Sequence, residues 1–442
     1  MAETARQTAT RALLRFERDA GYSNIVWDAI LRESALPQVD KQFASRLYYG
    51  VIERRLTLDA LLTSCSSVPR KRVHPTVWMI LRVGAYQLVY MERVPASAAV
   101  NEAVKLTRVM KQDRASGYVN GVLRGVQRQK EAFFAAITSE EIRYSCPQEL
   151  LDLWRESYGE QRCIQIAESL NTAADNCIRI NTLRVSAADF RTALDAVGAE
   201  YTADPYVPDA LRLAPHTLPT SAGLREGVHY YYQDTASQIA VRALGILPGM
   251  RVADVCAAPG GKSFTAAQYL QNDGILYSFD IYPAKCEVIA RRAEQLGVSC
   301  QSVAVHDARL PYDSSLYGSF DRVICDAPCS GLGVIRRKPE IRYKGFAEAA
   351  QLPSLQYEIL CRSAELVRVG GILQYSTCTL NPAENEAVTA RFLEEHPNFS
   401  AKLLPLEDCF SAANAPISYE ITLFPSVHGT DGFYIAAFIR EC

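Results

Sequence analysis

The sequence predicts a multidomain protein in which an all-α N-terminal region precedes a small α+β unit and a doubly wound α/β domain. Three observations support this prediction. The chain has 442 residues, which at about 150 residues per domain corresponds to roughly three domains. Apolar residues at helical spacing dominate its first 135 residues. From about residue 236, short apolar runs alternate with helical stretches, as they do in a parallel sheet with crossover helices.

The composition is that of a folded chain with an uneven distribution of charge. Hydrophobic residues make up 48% and charged residues 22%, which argues against disorder. The formal net charge of −2 combines +8 in residues 1–140 with −10 in the remainder. A basic N-terminal third is expected of a module that binds a polyanion, although variation between helical surfaces gives the same pattern.

The predicted helical region comprises residues 1–136. Prolines divide it into several helices, at Pro37, Pro69, Pro75 and Pro95. Its densest basic cluster is Arg70-Lys71-Arg72, preceded by Arg54 and Arg55. Such a run is usually a solvated surface, and contact with phosphates is the alternative interpretation.

Two shorter regions follow. Residues 137–170 are predicted to be a helical connector. Residues 171–235 are predicted to form a small α+β region, because β-like runs at 177–180 and 210–213 flank a helical stretch at 187–197.

The α/β domain is predicted at 236–442. Strands are expected at 251–255, 275–279, 303–305, 323–325 and 371–375, and helices at 263–269, 284–296 and 383–394. Segments 421–424 and 433–439 are expected to form a closing antiparallel hairpin. Ligands of such a sheet bind at the carboxyl ends of its strands.

Cysteine usage and hydropathy indicate a reduced protein without a membrane segment. The 13 cysteines are odd in number and contain no Cys-x-x-Cys, so zinc pairs and a disulfide framework are not expected. The N-terminal residues lack an apolar targeting segment. The most apolar window, 77–91, is interrupted by Arg82 and is shorter than the roughly 20 residues of a spanning helix. We therefore expect a cytoplasmic protein.

The first candidate site is the glycine turn after the first large-sheet strand. The strand runs through Cys256 into Gly260-Gly261-Lys262 and a helix, so the backbone can approach a ligand closely. A P-loop would need glycine at Cys256, and the Gly-x-Gly-x-x-Gly of a dinucleotide site is absent. S-adenosylmethionine has no pyrophosphate to bind, so this turn suffices for it.

Two carboxylates at the next strand ends fit the same cofactor. Asp280 ends the second strand, 20 residues after Gly260, where it could accept hydrogen bonds from both ribose hydroxyls. Asp307 follows the third strand, within reach of an adenine amine. Either residue alone would more often be a helix cap or a turn residue.

Two cysteines follow the fourth and fifth strands. Cys329 lies in the turn 326–331 and Cys378 in the turn 376–379. A single cytosolic cysteine is usually a small buried hydrophobe, but two in polar turns at the catalytic edge indicate thiol chemistry. No further ligands at zinc spacing accompany them, so no metal is expected.

Methyl transfer to carbon 5 of a pyrimidine explains the thiols. That carbon becomes nucleophilic only after a thiolate adds to carbon 6, which is covalent catalysis. An acid near ring nitrogen N3 absorbs the developing charge, and Asp326 is placed for that role. A base must then remove the carbon-5 proton. This argument does not decide which thiol attacks.

The motifs together closely resemble the Nop/Sun family of RNA cytosine-C5 methyltransferases. They are Cys256-Ala257-Ala258-Pro259-Gly260-Gly261-Lys262, Asp326-Ala327-Pro328-Cys329-Ser330, Thr377-Cys378, Asn381-Pro382-x-Glu384-Asn385-Glu386 and the segment 428–433. The N-terminal region resembles NusB-type RNA-binding helical domains at 49–51, 82–86, 101–104 and 118–124. NusB-like helices before this catalytic domain are the arrangement of bacterial Sun/Fmu (RsmB-type) 16S rRNA methyltransferases. Residues 171–220 resemble the ferredoxin-like insert of that family more weakly.

The resemblance implies roles for individual residues. Cys378 is expected to be the nucleophile, Cys329 to assist product release and Asp326 to stabilise the ring adduct. Arg336-Arg337-Lys338 is expected to contact RNA phosphates. Tyr343 departs from the family pattern, which has tryptophan there. The residues expected to line the S-adenosylmethionine site are Cys256, Ala257, Ala258, Pro259, Gly260, Gly261, Lys262, Asp280, Asp307 and Asp326.

The expected function is therefore methylation of carbon 5 of a cytosine in 16S rRNA. The target base must be unstacked, so the partner is free 16S rRNA or an early small-subunit particle. The protein is expected to act as a monomer, without a membrane or a metal. The same chemistry on tRNA is one alternative, since the catalytic motifs do not separate the two RNAs. A non-catalytic RNA-binding assembly factor is the other.

Overall fold

The structure is a computed structural model that describes residues 3–19, 21–345, 349–406 and 418–442. The chain forms two compact units. The first comprises Met1–Thr172 and Ile335–Lys344, and the second comprises Ala173–Val334 and Gly345–Cys442. The predicted fold class is confirmed: the N-terminal region is helical, and α+β and α/β elements follow it.

The first unit is built from α-helices. They are α1 (Ala5–Asp19), α2 (Ser23–Glu33), α3 (Gln38–Glu53), α4 (Arg55–Cys65), α5 (Pro75–Tyr90), α6 (Ala96–Val109), α7 (Ser116–Ala136), α8 (Glu140–Tyr144), α9 (Gln148–Tyr158) and α10 (Glu160–Ser169). The apolar faces of α1 to α7 share one core, in which Tyr48 and Trp78 are fully buried. Gly50 allows close packing there, because a Cβ at this position would lie 2.0 Å from the ring of Tyr86.

Arg82, which interrupts the most apolar window, is buried within this helical core. Its guanidinium donates to both carboxylate oxygens of Asp59, at 2.7 and 2.6 Å, and also pairs with Glu17. A buried cation is tolerated when such partners satisfy its donors. Within the described part of the chain, every helix is too short or too polar to span a bilayer.

The segment Ile335–Lys344 packs within the helical unit although it is distant from it in sequence. The guanidinium of Arg342 is buried and donates to three main-chain carbonyls, those of Glu53 and Ser145 at 3.1 Å and that of Leu170 at 3.3 Å. One side chain therefore satisfies carbonyls that helix ends would otherwise leave without a partner.

The family-atypical Tyr343 lies in the same segment. Its hydroxyl donates to the carbonyl of Ile52 at 3.0 Å, and the guanidinium of Arg55 lies 3.7 Å from its ring centroid. Phosphate contact by Arg336-Arg337-Lys338, which the structure also places in this segment, stays a prediction.

The second unit begins with a small antiparallel sheet in the order β2-β3-β1-β4. Its strands are β1 (Asn176–Ile180), β2 (Tyr201–Ala203), β3 (Ala210–Leu213) and β4 (Tyr230–Tyr232). Helix α11 (Ala187–Ala196) covers this sheet and buries Phe190 and Leu194. The hydroxyl of Ser186 caps this helix by accepting a hydrogen bond from the amide of Asp189 at 3.0 Å. The α+β prediction is confirmed.

The second sheet has the order β10-β12-β9-β8-β5-β6-β7, with β11 paired to β12. Its strands are β5 (Arg251–Asp254), β6 (Ile275–Asp280), β7 (Gln301–Val305), β8 (Phe320–Asp326), β9 (Val367–Thr377), β10 (Phe399–Ala401), β11 (Glu420–Leu423) and β12 (Phe433–Arg440). Strands β5 to β9 pair in parallel, whereas β10 and β11 pair antiparallel with β12, and β12 with β9. The closing hairpin is confirmed.

Helices accompany this sheet, and three of them, α13, α14 and α15, connect its parallel strands. They are α12 (Thr235–Arg242), α13 (Gly261–Leu270), α14 (Pro283–Leu296), α15 (Leu352–Leu366), α16 (Glu386–Glu395) and α17 (Pro425–His428). The strand order reverses at β5, which lies between β6 and β8. In an open α/β sheet the ligand crevice lies beyond the carboxyl ends of the strands at such a reversal.

Candidate active site

The turn between β5 and α13 requires glycine at Gly260. This residue has φ +102°, and a Cβ there would lie 2.4 Å from the ring of Phe264. Any other residue would combine backbone strain with a clash in the core. The tight turn brings the backbone of the predicted motif to the sheet edge.

A cavity of about 460 Å³ opens at this edge, within the usual size range of small-molecule sites. The predicted site residues that line it are Cys256, Ala258, Asp280, Asp307, Asp326, Cys329 and Cys378. The other predicted residues, Ala257, Pro259, Gly260, Gly261 and Lys262, form the turn and the start of α13 and are not among its lining residues. Ile281, Leu355 and Ile359 add an apolar wall that the sequence patterns did not identify.

Main-chain donors orient the carboxylate of Asp280. Its two oxygens accept hydrogen bonds from the amides of Ala258, at 3.2 Å, and Tyr282, at 3.0 Å, while the ammonium of Lys285 lies 4.0 Å away. Each carboxylate oxygen keeps a lone pair for a further donor. This geometry suits the predicted contact with ribose hydroxyls.

Asp307 is paired with a neighbouring arginine. Both oxygens accept from the guanidinium of Arg309, at distances from 2.5 to 3.1 Å. This hydrogen bonding lowers the pKa of Asp307, so its carboxylate is ionised at neutral pH. It can therefore accept a hydrogen bond from an amine but cannot donate one.

Asp326 lies between a cation and a hydroxyl. Lys262 Nζ is 2.6 Å from its Oδ2, and Ser376 Oγ donates to its Oδ1 at 2.9 Å. Burial alone would lower the pKa of Lys262, but the charge and hydrogen bond of Asp326 outweigh burial and raise it. Lys262 is therefore a cation that fixes the Asp326 carboxylate at the end of β8.

The two loop cysteines lie together at the cavity. Cys329 Sγ and Cys378 Sγ are 3.4 Å apart, although 48 residues separate them in the chain. The hydrogen bond to Cys378, followed by burial, raises the pKa of Cys329 well above its ordinary value. The raised pKa favours a protonated Cys329 thiol, and the geometry allows either sulfur to donate the hydrogen bond.

A buried carboxylate, Glu384, fixes the loop that carries Cys329. It accepts from the amide and hydroxyl of Ser330, at 2.8 and 2.5 Å, and from Gln356 Nε2 at 2.9 Å and Asn381 Nδ2 at 2.8 Å. The sequence patterns gave Glu384 no role. Its Asn-Pro-x-Glu-Asn-Glu motif, which also contains Asn381, was the only available signal, because Ser330 and Gln356 come from two distant segments.

The Cys378 loop is fixed by contact between two glycines. The amide of Gly333 donates to the carbonyl of Cys378 at 3.0 Å, and the amide of Gly432 donates to the carbonyl of Gly333 at 2.9 Å. A Cβ on Gly333 would lie 1.9 Å from the carbonyl oxygen of Gly432. Only glycine permits this approach, which joins the loop after β9 to the turn before β12.

Asp254, at the end of β5, is a second buried carboxylate that the sequence patterns missed. Ser263 Oγ donates to it at 2.6 Å and in turn accepts from Ser278 Oγ at 2.9 Å. Burial raises the pKa of Asp254 to about 7; Asp326 adds to this effect, and Ser263 and Lys262 oppose it. The group therefore titrates near neutral pH in the folded protein.

This titration predicts a pH dependence of stability. In the unfolded chain the carboxyl releases its proton near pH 4, whereas in the folded chain it does so near pH 7. The folded state binds the extra proton, so the carboxyl group of Asp254 destabilises the fold increasingly as pH rises from about 4 to 7, by roughly 4 kcal/mol in total.

We expect Asp254→Asn to gain melting temperature over the wild type as pH rises through this window, with the gain constant above pH 7.5. Thermal unfolding followed by circular dichroism from pH 4.5 to 8 measures this difference. The exposed residue Asp273 supplies the matched control, Asp273→Asn, which should follow the wild type at every pH. A gain of Asp254→Asn that does not vary with pH would contradict the assignment.

The lining of the cavity fits S-adenosylmethionine. An apolar wall suits an adenine ring, and the oriented Asp280 carboxylate suits ribose hydroxyls. The thiols lie at the same cavity, as a methyl acceptor site requires. Among the residues that the structure describes, no group of three or more His, Cys, Asp or Glu side chains is arranged to hold a metal ion.

Three family models match the chain. A model described as 16S rRNA methyltransferase RsmB/F matches residues 242–439. The NusB family model matches residues 3–128, and the ferredoxin-like domain model of RsmF/B-like methyltransferases matches residues 146–217. Together these models cover both units of the structure.

Similar proteins cover nearly the whole chain. The probable ribosomal RNA small subunit methyltransferase B of Bacillus subtilis is 33% identical over 99% of this chain and 99% of its own length. Ribosomal RNA small subunit methyltransferase B of Klebsiella pneumoniae is 34% identical over 91% of this chain and 90% of its own. A solved methyltransferase homologue from Pyrococcus horikoshii is 28% identical, with a TM-score of 0.58 over 69% of this chain and 98% of its own. The chain therefore belongs to the RsmB/F family of 16S rRNA methyltransferases, whose methyl donor is S-adenosylmethionine.

Proposed function

We propose that this protein transfers a methyl group from S-adenosylmethionine to carbon 5 of a cytosine in small-subunit ribosomal RNA. The observation that carries the proposal is the pair of thiols, with sulfurs 3.4 Å apart, at the cavity beyond β8 and β9. Methylation of an amine or a hydroxyl needs no thiol. Two cysteines at this edge are what nucleophilic addition to a pyrimidine followed by elimination requires.

The reaction begins with attack by Cys378. Its thiolate Sγ forms a bond to carbon 6 of the cytosine, and a proton passes from Lys262 by way of Asp326 to nitrogen N3, which neutralises the ring charge that develops. Asp326 hydrogen-bonds at N3, and the cationic Lys262 beside it supports this proton transfer. When bound, S-adenosylmethionine supplies an electrophilic methyl group, to which the electron pair at carbon 5 forms the new bond.

In the elimination step that follows, Cys329 acts as the base. Once Cys378 is bonded to carbon 6, the hydrogen bond that contributes most to the raised pKa of Cys329 is lost, while burial still raises that pKa. We propose that Cys329 releases its proton to solvent at this stage. The Cys329 thiolate removes the proton from carbon 5, the double bond between carbons 5 and 6 re-forms, and the bond to Cys378 Sγ breaks. N3 returns its proton by way of Asp326 to Lys262, and the enzyme is back in its initial state, with the Cys329 thiol protonated.

The residues that line the cavity support a proposal for how the cofactor is bound. We propose that Asp280 binds the ribose, that Asp307 accepts from the adenine amine, and that Cys256 and Ala258 contact the cofactor from the turn. The remaining motif residues, Ala257, Pro259, Gly260 and Gly261, shape that turn behind them.

Small-subunit rRNA is the proposed substrate because the similar proteins from Bacillus subtilis and Klebsiella pneumoniae carry that substrate in their names. The net charge of +8 in residues 1–140 supports contact between the helical region, 1–136, and RNA. The target base must leave its stack to reach the cavity. We therefore propose a cytosine in a single-stranded segment of 16S rRNA.

Bisulfite sequencing of total RNA tests the substrate. We expect a strain lacking the gene to lose one 5-methylcytosine in 16S rRNA, and the wild-type gene to restore it. A matched strain expressing Cys378→Ala should fail to restore it. Loss of a tRNA site with 16S rRNA unchanged would overturn the substrate assignment, and RNA binding without any methyl transfer would indicate an assembly factor.

A further inference from the structure

A second cavity, of about 640 Å³, lies in the same unit as the thiols and is strongly basic. It lies between the small α+β region and the C-terminal half of α14. Three arginines and a histidine line it, together with a single carboxylate. We call this feature the basic cleft; its lining residues are Arg184, Arg225, Val228, His229, Arg291, Glu294 and Gln295.

The walls of the basic cleft are joined by one buried amide. Asn181 is fully buried, and its Nδ2 donates to the carbonyls of Val228, at 2.7 Å, and Leu296, at 2.8 Å. These carbonyls belong to the loop before β4 and to the last residue of α14. One side chain thus holds both walls in place, so the shape of the cleft is set by the fold.

The cations within the cleft are also positioned. The guanidinium of Arg184 lies against Gly297, where a Cβ would come within 2.5 Å of it. His229 Nδ1 accepts from the amide of Arg225 at 3.0 Å, which favours the tautomer with a proton on Nε2. Arg225 and His229 are therefore held together in a short closed turn.

These charges are not neutralised within the protein. Among the described residues, no carboxylate lies within 4.0 Å of a charged atom of Arg184, Arg225 or Arg291, and all three arginines are exposed. Glu294 is the one acidic residue among the lining residues. A concave site with several free guanidinium groups and one carboxylate suits a ligand with repeated negative charge, and arginine pairs with phosphate through two parallel hydrogen bonds.

We propose that the basic cleft binds backbone phosphates of the substrate RNA, a few nucleotides away from the target cytosine. This inference rests on the proposed function for the identity of the RNA. Helix α14 begins beside Tyr282 and Lys285, which line the cofactor cavity, and its cleft residues Arg291 to Gln295 lie about 9 to 15 Å beyond Lys285 along the helix axis. That distance is too long for contact with the target base itself, and it fits the flanking strand.

Direct binding of a fluorescein-labelled 16S rRNA fragment, followed by anisotropy without cofactor, tests the proposal. We expect Arg225→Gln and Arg291→Gln each to weaken binding about fourfold to fivefold at 150 mM salt. Each should also reduce the slope of log Kd against log salt by about 0.7–0.9. The matched control is Arg292→Gln, on the same helix and exposed but outside the cleft, which should bind as the wild type does.

Methyl transfer by the same variants separates this proposal from the proposed function. We expect KM for RNA to rise in both cleft variants while kcat at saturating RNA stays unchanged. Binding of Arg225→Gln and Arg291→Gln that equals the wild type, or an equal loss in Arg292→Gln, would overturn the cleft assignment. A wild-type protein that binds through the cleft but methylates no rRNA would overturn the proposed function alone.

Discussion

Replacing Cys378 with alanine should reduce methyl transfer to rRNA by at least about a thousandfold, because the ring carbon that accepts the methyl group is activated only by covalent addition. Binding of RNA and of S-adenosylmethionine should persist, since the Cys378 main chain, which accepts the hydrogen bond from Gly333, is retained. Incorporation of labelled methyl groups into 16S rRNA, with RNA binding measured in parallel, tests this expectation.

A matched control is available at Cys361, which is partly buried in the same unit and does not line the cavity. Cys361→Ala should methylate at close to the wild-type rate. Substantial methylation by Cys378→Ala would show that another group attacks carbon 6, with Cys329 as the first candidate because of its position 3.4 Å away.

Replacing Cys329 with alanine should have the second large effect, an accumulation of covalent protein–RNA adduct. Addition and methyl transfer do not need this thiol, but removal of the carbon-5 proton does. The methylated ring should therefore stay bonded to Cys378 after the donor has reacted. A denaturing gel of the variant with RNA and S-adenosylmethionine should show a band that resists heat and detergent and is lost after RNase digestion.

The double variant with Cys329→Ala and Cys378→Ala provides the control, because it should form no adduct. An adduct that accumulates in Cys378→Ala and is absent from Cys329→Ala would reverse the roles of the two thiols. The raised pKa of Cys329 supports the assignment as given, because the thiol that keeps its proton is the poorer nucleophile.

Much of this site could be predicted from the sequence because parallel strands present their carboxyl ends at one edge. Asp280, Asp326 and Cys378 were each identified as residues at or just beyond a strand end, and the sheet brings Asp280, Asp326 and both thiols to one cavity. Hydrophobic alternation is enough to find such strands. The order of attack of the thiols did not follow from it, because that order depends on which sulfur keeps its proton.

Other features depend on partners that no local pattern reveals. The buried Glu384 contacts Ser330, 54 residues away in sequence, and the side chain of Arg342 donates to carbonyls 172 to 289 residues away. A charged residue in a sequence usually indicates an exposed surface. Only the tertiary structure shows that these two are buried and that main-chain or side-chain groups satisfy them.

The pKa of Asp254 is a further property that only the tertiary structure shows. In the structure both Asp254 and Asp280 are the last residue of a strand, although the sequence analysis gave a role only to Asp280. Asp254 is enclosed beside Ser263 and Ser278 and retains its proton to near pH 7, whereas Asp280 lies at the cavity and accepts two main-chain amides. Burial, rather than position along the strand, explains why Asp254 keeps its proton while Asp280 serves at the cavity.

The covalent step is the central claim, and mass spectrometry of the Cys329→Ala adduct tests it most directly. The adduct formed with 16S rRNA and S-adenosylmethionine is digested with nuclease and protease, and the modified peptide is sequenced. We predict a cytidine nucleotide carrying one additional methyl group, attached to the peptide that contains Cys378. A nucleotide attached to any other residue, or a methylated 16S rRNA product without an adduct at Cys378, would contradict the account.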